Sequence, residues 1–129
     1  MIEMPETAYQ QHLGVQVVEA SDGKSRVRLI WSDFLANRRG NVHGGAIASI
    51  VDIALSRAIR SVLPEDVSIA TIGLNLTYLE PGTGTLEGAG SVVRAGATIA
   101  IAEATVGNDS GTIIARASGT FRVIRPRGA

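Results

Sequence analysis

One helix-patterned segment limits what this chain of 129 residues can fold into. From near residue 43 to about residue 63, apolar side chains recur at helical spacing, and Pro64 marks the end of the pattern. They are Ile47, Ile50, Val51, Ala54, Leu55, Ala58, Ile59 and Val62. Because the helix is apolar nearly all round, it must be covered on several sides. The fold therefore has to wrap the rest of the chain around one long helix.

The rest of the chain is patterned as short strands. Two runs precede the helix, at about residues 15–20 and 25–31, and four follow it, at 68–79, 85–94, 98–106 and 112–124. Short turns join them, which favours antiparallel pairing. Three successive strands carry a stripe of Ala and Gly, which leaves room for the helix to lie close. We expect one α+β domain over residues 1–129, a curved antiparallel sheet around one helix, with residues 1–11 and 125–129 loose.

Composition excludes several classes of function. Twelve basic and twelve acidic residues balance to zero net charge, so no basic surface that would bind nucleic acid or an anionic membrane is expected. No apolar run approaches the ~18 residues of a membrane span, and the N-terminus lacks signal-peptide features. The chain has no cysteine, and His12 and His43 do not form a ligand cluster. We therefore expect a cytoplasmic protein without a metal.

Asp52 is the most informative single residue, because it is an acid in the middle of the apolar helix. Its neighbours three and four positions away are Ala48, Ser49, Leu55 and Ser56. None of these is a cation, so the helix itself offers no ion pair. Burying an unpaired carboxylate is costly. On pattern alone two readings stay open: a catalytic acid, or a structural acid paired with Arg38 or Arg39.

The loop before the helix carries a recognisable motif. Asn37, Gly40 and His43-Gly44-Gly45 have the spacing N-x-x-G-x-x-H-G-G, and Asp52 follows nine residues after His43. With the strand segment from Asn75 to Gly82, this pattern resembles the PaaI-like acyl-CoA thioesterases of the hotdog fold. The resemblance covers residues 12–124, approximately.

The resemblance implies a role for each motif residue. Asp52 would be the general base or nucleophile, and the backbone N–H of Gly44 would hold the thioester oxygen. The second role agrees with the unpaired N–H groups and partial positive charge at a helix N-terminus. Asn37 would help to place the water or the carbonyl, His43 would mainly shape the loop, and Thr71 would supply a hydroxyl that orients the water.

The resemblance also implies partners. Such proteins form homodimers, sometimes homotetramers, whose sites lie between subunits, with Asn37 and Gly44 from one chain and Asp52 from the other. Coenzyme A would be part of the substrate rather than a separate cofactor. Arg94 is the candidate for its phosphates. Weaker candidates are Arg57, Arg60, Arg122 and Arg125.

The function expected is hydrolysis of aryl- or medium-chain acyl-CoA to the free acid and coenzyme A. One alternative is a hotdog module that binds acyl-CoA without catalysis. Another is an enoyl-CoA hydratase or dehydratase, for which His43 is the one plausible imidazole. The chain has no G-x-S-x-G motif, so nothing supports a serine hydrolase.

Overall fold

The computed structural model describes residues 5–127 and forms one six-stranded sheet and one long helix. The elements are α1 (Ala8–Leu13), β1 (Val15–Ser21), β2 (Lys24–Leu29), a 3-10 turn (Asp33–Leu35), α2 (Gly44–Arg60), β3 (Ser68–Tyr78), β4 (Leu86–Ala95), β5 (Ile99–Asn108) and β6 (Ile113–Ile124). The strand order is β1-β2-β4-β5-β6-β3, and every pair is antiparallel. The predicted α+β hotdog architecture is confirmed.

The long helix α2 supplies the centre of the core. Its main sheet contacts are with β2, β4 and β5. Its buried residues are Ala46, Ile47, Ile50, Val51, Ile53, Ala54, Leu55, Ala58 and Ile59. Each fully buried Ile, Val or Leu stabilises the fold by roughly 1.5–3 kcal/mol through the hydrophobic effect. This packing leaves one side of α2, which carries Asp52, turned toward β3.

Small residues in the sheet let α2 approach closely, as the sequence predicts. A Cβ atom on Gly90 of β4 would overlap the carbonyl group of Ala54. A Cβ atom on Gly119 of β6 would lie 2.7 Å from Cδ1 of Leu55. Gly90 therefore needs to be glycine because the helix backbone occupies the space, whereas a Cβ at position 119 would require the Leu55 side chain to shift.

The N-terminal segment differs from the expectation that residues 1–11 are loose. Thr7 and Gln10 form a capping box, in which each side chain accepts the backbone N–H of the other at 3.2 and 2.9 Å. Gly14, with φ of 85°, ends α1 in the left-handed conformation. Residues 1–4 lie outside the described part. In the expected C-terminal tail, residues 125–127 form neither helix nor strand, and residues 128–129 are outside the described part.

Strand β3 lies at an edge of the sheet. Among the described residues it pairs with β6 alone, so its second edge carries unpaired backbone groups. Large apolar side chains are also exposed along it: Ile72 at 58%, Leu74 at 39% and Tyr78 at 50%. One face of this strand and the uncovered side of α2 form the walls of an open groove.

Candidate active site

The carboxylate of Asp52 is held by a hydroxyl from the neighbouring strand. Thr71 Oγ1 donates to Asp52 Oδ1 at 2.8 Å. Thr71 pairs in register with the buried Phe121, so its side chain lies on the helix side of the sheet, and a β-bulge follows it. Asp52 is half-buried. Its Oδ2 atom accepts no hydrogen bond from a described residue, so it is available to a water molecule or a substrate.

Within one chain, Asp52 does not form the ion pair with Arg38 or Arg39 that the structural interpretation required. The ion pairs among the described residues join Arg26 to Glu19 and Glu87, and Arg28 to Glu87. Neither Arg38 nor Arg39 forms an ion pair with Asp52. The hydrogen bond from Thr71 is therefore the compensation that the chain provides for placing this carboxylate in the groove.

The first turn of α2 leaves one backbone N–H group free. His43 Nδ1 accepts the N–H of Gly45 at 3.0 Å. The His43 carbonyl accepts the N–H groups of Ala46 and Ile47 at 2.9 and 3.2 Å. Within the described part of the chain, the N–H of Gly44 has no acceptor. Because the helix dipole concentrates partial positive charge there, this N–H can bind a carbonyl oxygen that gains negative charge.

Asn37 and His43 hold the loop that presents Gly44. Asn37 Oδ1 accepts the N–H groups of Arg39 and Asn41 at 2.9 and 3.1 Å, which closes the loop on itself. The His43 N–H donates to the carbonyl of Leu35 at 2.7 Å. Both residues hydrogen-bond to the backbone around them. In this geometry His43 acts as the N-cap of α2, with Nδ1 occupied.

Tyr78 makes a contact at Gly44 that the sequence did not indicate. Its hydroxyl donates to the Gly44 carbonyl at 2.6 Å. The phenol ring lies so close that a Cβ on Gly44 would be 3.4 Å from its Cζ atom. Desolvation raises the pKa of the Tyr78 phenol above its usual value, which keeps it protonated as a donor.

The structure brings the predicted site residues together as two separate groups. Asp52 and Thr71 form one group, and His43, Gly44 and the Asn37 loop form the other. Gly44 and Asp52 are eight residues apart on one helix, which is about 12 Å at 1.5 Å per residue. A carboxylate and a carbonyl-binding N–H that act on one thioester must be much closer. Within one chain these two groups, the candidate half-sites, are therefore too far apart to act on the same thioester.

The Asp52 group opens into the groove between α1, α2 and β3. Its volume is about 500 Å³, and an adjoining groove of about 510 Å³ shares Asp52 and Thr71. The lining is mixed, with both polar and apolar side chains. Besides Asp52 and Thr71, the first groove is lined by Thr7, Tyr9, Gln10, Ala48, Ser49, Ile53, Ser56 and Leu74. The volume lies within the range that is usual for small-molecule sites.

Of the arginine candidates, Arg94 lies apart from Asp52, whereas Arg57 and Arg60 line the adjoining groove that Asp52 also lines. Arg94 is exposed and pairs with Ile101 on the outer face of the sheet. The Arg60 guanidinium donates to the carbonyls of Val67 and Pro64, which secures the chain after α2. Within residues 5–127, no cluster of three His, Cys, Asp or Glu could hold a metal ion. No helix in the same range is long and apolar enough to cross a membrane.

Comparison with known proteins identifies the family. The family model described as "Thioesterase superfamily" matches residues 39–115. A Halobacterium salinarum protein that carries an esterase name is 42% identical, over 88% of this chain and 82% of its own.

Two solved structures have the same fold. The BH2602 protein from Bacillus halodurans, solved with CoA, is 32% identical with a TM-score of 0.87, over 95% of this chain and 82% of its own. The Escherichia coli PaaI protein, from the phenylacetic acid degradation operon, has a TM-score of 0.84 at 21% identity, over 92% of this chain and 85% of its own. With its loop motif and its central helix, this chain shares the hotdog fold of the PaaI protein and belongs to the thioesterase superfamily.

Proposed function

We propose that this protein is an acyl-CoA thioesterase that uses Asp52 as its general base or nucleophile. The family and the named esterase relative support thioester hydrolysis in general. The proposed role of Asp52 rests on one observation: its carboxylate is held by Thr71 in an open groove and has one oxygen free. This is the arrangement that a base needs when a water molecule must be activated beside a bound carbonyl.

The chemistry follows from the two half-sites. Asp52 takes a proton from water as the water oxygen bonds to the thioester carbon. Negative charge then develops on the carbonyl oxygen, where the Gly44 N–H stabilises it. The tetrahedral intermediate collapses, the C–S bond breaks, and the coenzyme A thiolate takes the proton from Asp52. In the nucleophile version, the carboxylate attacks the thioester carbon and the C–S bond breaks, which releases the coenzyme A thiolate. Water then hydrolyses the resulting anhydride to the free acid and the Asp52 carboxylate, and the released proton goes to the thiolate.

Two chains would complete each site. The separation of about 12 Å between Gly44 and Asp52 along α2 supports a site in which these residues come from different protomers. The unpaired edge of β3, with its exposed Ile72 and Leu74, offers a surface for a second copy. We propose a homodimer, with a homotetramer as a further association of dimers.

The proposed substrate is an aryl- or medium-chain acyl-CoA. The structure of the BH2602 protein, which is 32% identical to this chain, was solved with CoA. This supports coenzyme A as the group that carries the acyl chain in the substrate. The groove of about 500 Å³ beside Asp52 would take the acyl group. Arg94, exposed at the end of β4, would contact the coenzyme A phosphates as a charged donor.

The test is thiol release from a panel of phenylacetyl-, benzoyl- and octanoyl-CoA. Because the chain contains no cysteine, the protein itself contributes no thiol signal. We expect turnover by the wild type and a loss of roughly 10²–10⁴-fold in Asp52→Asn, the range of general base catalysis. The matched control is Asp109→Asn, which removes an exposed carboxylate in the turn after β5 and should leave turnover unchanged.

The alternatives give different results in the same experiment. Acyl-CoA binding without thiol release, by a folded dimer, would indicate a binding module. Loss of enoyl-CoA absorbance would indicate a hydratase, although His43 Nδ1 is occupied by the Gly45 N–H. Equal turnover by wild type and Asp52→Asn would refute the role of Asp52.

A further inference from the structure

The carbonyl-binding end of α2 begins with two consecutive glycines. Glycine has more backbone freedom to lose than any other residue, so a Gly44-Gly45 start is prone to fray. A donor that stabilises charge in a transition state must be fixed before the reaction. The Gly44 N–H therefore needs restraints from outside its own turn.

The structure contains two such restraints, one on each glycine. His43 Nδ1 accepts the Gly45 N–H at 3.0 Å. The Tyr78 hydroxyl donates to the Gly44 carbonyl at 2.6 Å, and its ring lies against Gly44. These contacts involve the Gly45 N–H and the Gly44 carbonyl. They therefore hold both glycines and leave the Gly44 N–H free to donate.

We propose that Tyr78 is a positioning residue, whose hydroxyl fixes Gly44 at the start of α2 so that its N–H points at the thioester carbonyl. This inference rests on the proposed thioesterase function. Tyr78 is 50% exposed, so the loss of its hydroxyl alone removes little packing. The main consequence of Tyr78→Phe is then a less well fixed Gly44 rather than an unfolded protein.

The experiment compares Tyr78→Phe with wild type, Asp52→Asn and a matched control, Ser25→Ala. Ser25 is buried, and its hydroxyl also donates to a carbonyl of α2, that of Ala54 at 2.6 Å, ten residues beyond Gly44. We expect Tyr78→Phe to lower kcat roughly 5- to 10-fold with KM changed less than about twofold. Ser25→Ala should lower the melting temperature and leave kcat unchanged.

A spectroscopic measurement separates positioning from a general structural effect. The acyl-CoA that wild type hydrolyses fastest is labelled with ¹³C at the thioester carbonyl and bound to Asp52→Asn protein. Donation from Gly44 should shift the carbonyl stretch to lower frequency. The shift should be smaller when Tyr78→Phe is added and unchanged when Ser25→Ala is added.

A second probe keeps the phenol ring and its hydroxyl and lowers the pKa of that hydroxyl. The chain has two tyrosines, so Tyr9→Phe leaves Tyr78 as the single position for difluorotyrosine, whose phenol ionises at lower pH. A phenolate cannot donate, so kcat should fall at a less alkaline pH than in the unfluorinated Tyr9→Phe protein. This result holds even if Tyr78→Phe itself folds poorly.

The outcomes distinguish the inference from the proposed function. Wild-type turnover that is lost in Asp52→Asn supports the thioesterase, whatever Tyr78 does. Within that result, an unchanged kcat in Tyr78→Phe, or an unchanged alkaline limb with difluorotyrosine, would overturn the inference. No turnover by wild type would refute the proposed function and the inference together.

Discussion

Substitution of Gly44 by proline removes the N–H group that is proposed to bind the carbonyl, with little other change. Proline is tolerated at the first position of a helix, where its missing N–H costs no helical hydrogen bond. His43, which precedes it, has φ of −59° and ψ of 138°, which is the extended conformation that a residue before proline prefers. A substituent at Cβ would meet the Tyr78 ring at 3.4 Å, an ordinary contact distance.

The expected loss is that of one transition-state hydrogen bond. Removal of one such donor typically lowers kcat about 10²- to 10³-fold, or roughly 2.7–4 kcal/mol of barrier. Gly44→Ala is the matched control, because it adds the same Cβ and keeps the N–H. We expect it to retain kcat to within a few fold, since it changes only local packing.

The assay is thiol release under saturating substrate, with thermal unfolding of both variants measured alongside. The reasoning predicts a low kcat for Gly44→Pro and near-normal turnover for Gly44→Ala, at similar melting temperatures. Equal kcat values for the two variants would refute the role of the Gly44 N–H. An equally large loss in both would show that the Cβ, not the missing donor, is responsible.

Three further predictions concern the other half-site, the strand edge and the core. Thr71→Val removes the hydroxyl that holds Asp52 and should lower kcat roughly 10-fold, whereas Thr71→Ser should retain most activity; equal rates for both would contradict the role of the hydroxyl. Ile72→Lys on the β3 edge should reduce the solution mass toward the 13.4 kDa of one chain and abolish activity. The matched control is Val93→Lys, because Val93 is 59% exposed and Ile72 is 58% exposed; it should change neither the mass nor the activity. Gly90→Ala forces a Cβ into the carbonyl of Ala54 and should lower the urea-derived free energy of unfolding by roughly 1–3 kcal/mol; unchanged stability would contradict the close packing of α2.

The elements that periodicity predicts are those with long, regular patterns. The spacing of the apolar residues predicts the helix α2. The alternation in β5, where Ala100, Ala102 and Ala104 face the helix, predicts that strand. The α1 helix was missed because six residues are too few for a period to be visible. Its signal was the Thr7–Gln10 capping pair, which is readable in the sequence.

The candidate site was only partly predictable, because its contacts join distant residues. Asp52 is conspicuous by itself, as an acid on an apolar helix. The family resemblance indicated Thr71 only as a hydroxyl that orients the water. Its hydrogen bond to Asp52 spans 19 residues, and no local pattern predicts it. The contact of Tyr78 with Gly44 spans 34 residues. It depends on where β3 ends relative to α2, which no local pattern specifies.

The most direct test of a site shared between two chains is complementation between inactive variants. Gly44→Pro and Asp52→Asn are each expected to be nearly inactive as homodimers. In a mixed dimer, the Gly44 of one chain and the Asp52 of the other would form one intact site. With random pairing of equal amounts, half of the dimers are mixed and each has one site of two, so about a quarter of wild-type activity should return. Activity that stays at the level of the separate variants, after verified exchange of subunits, would contradict the shared site.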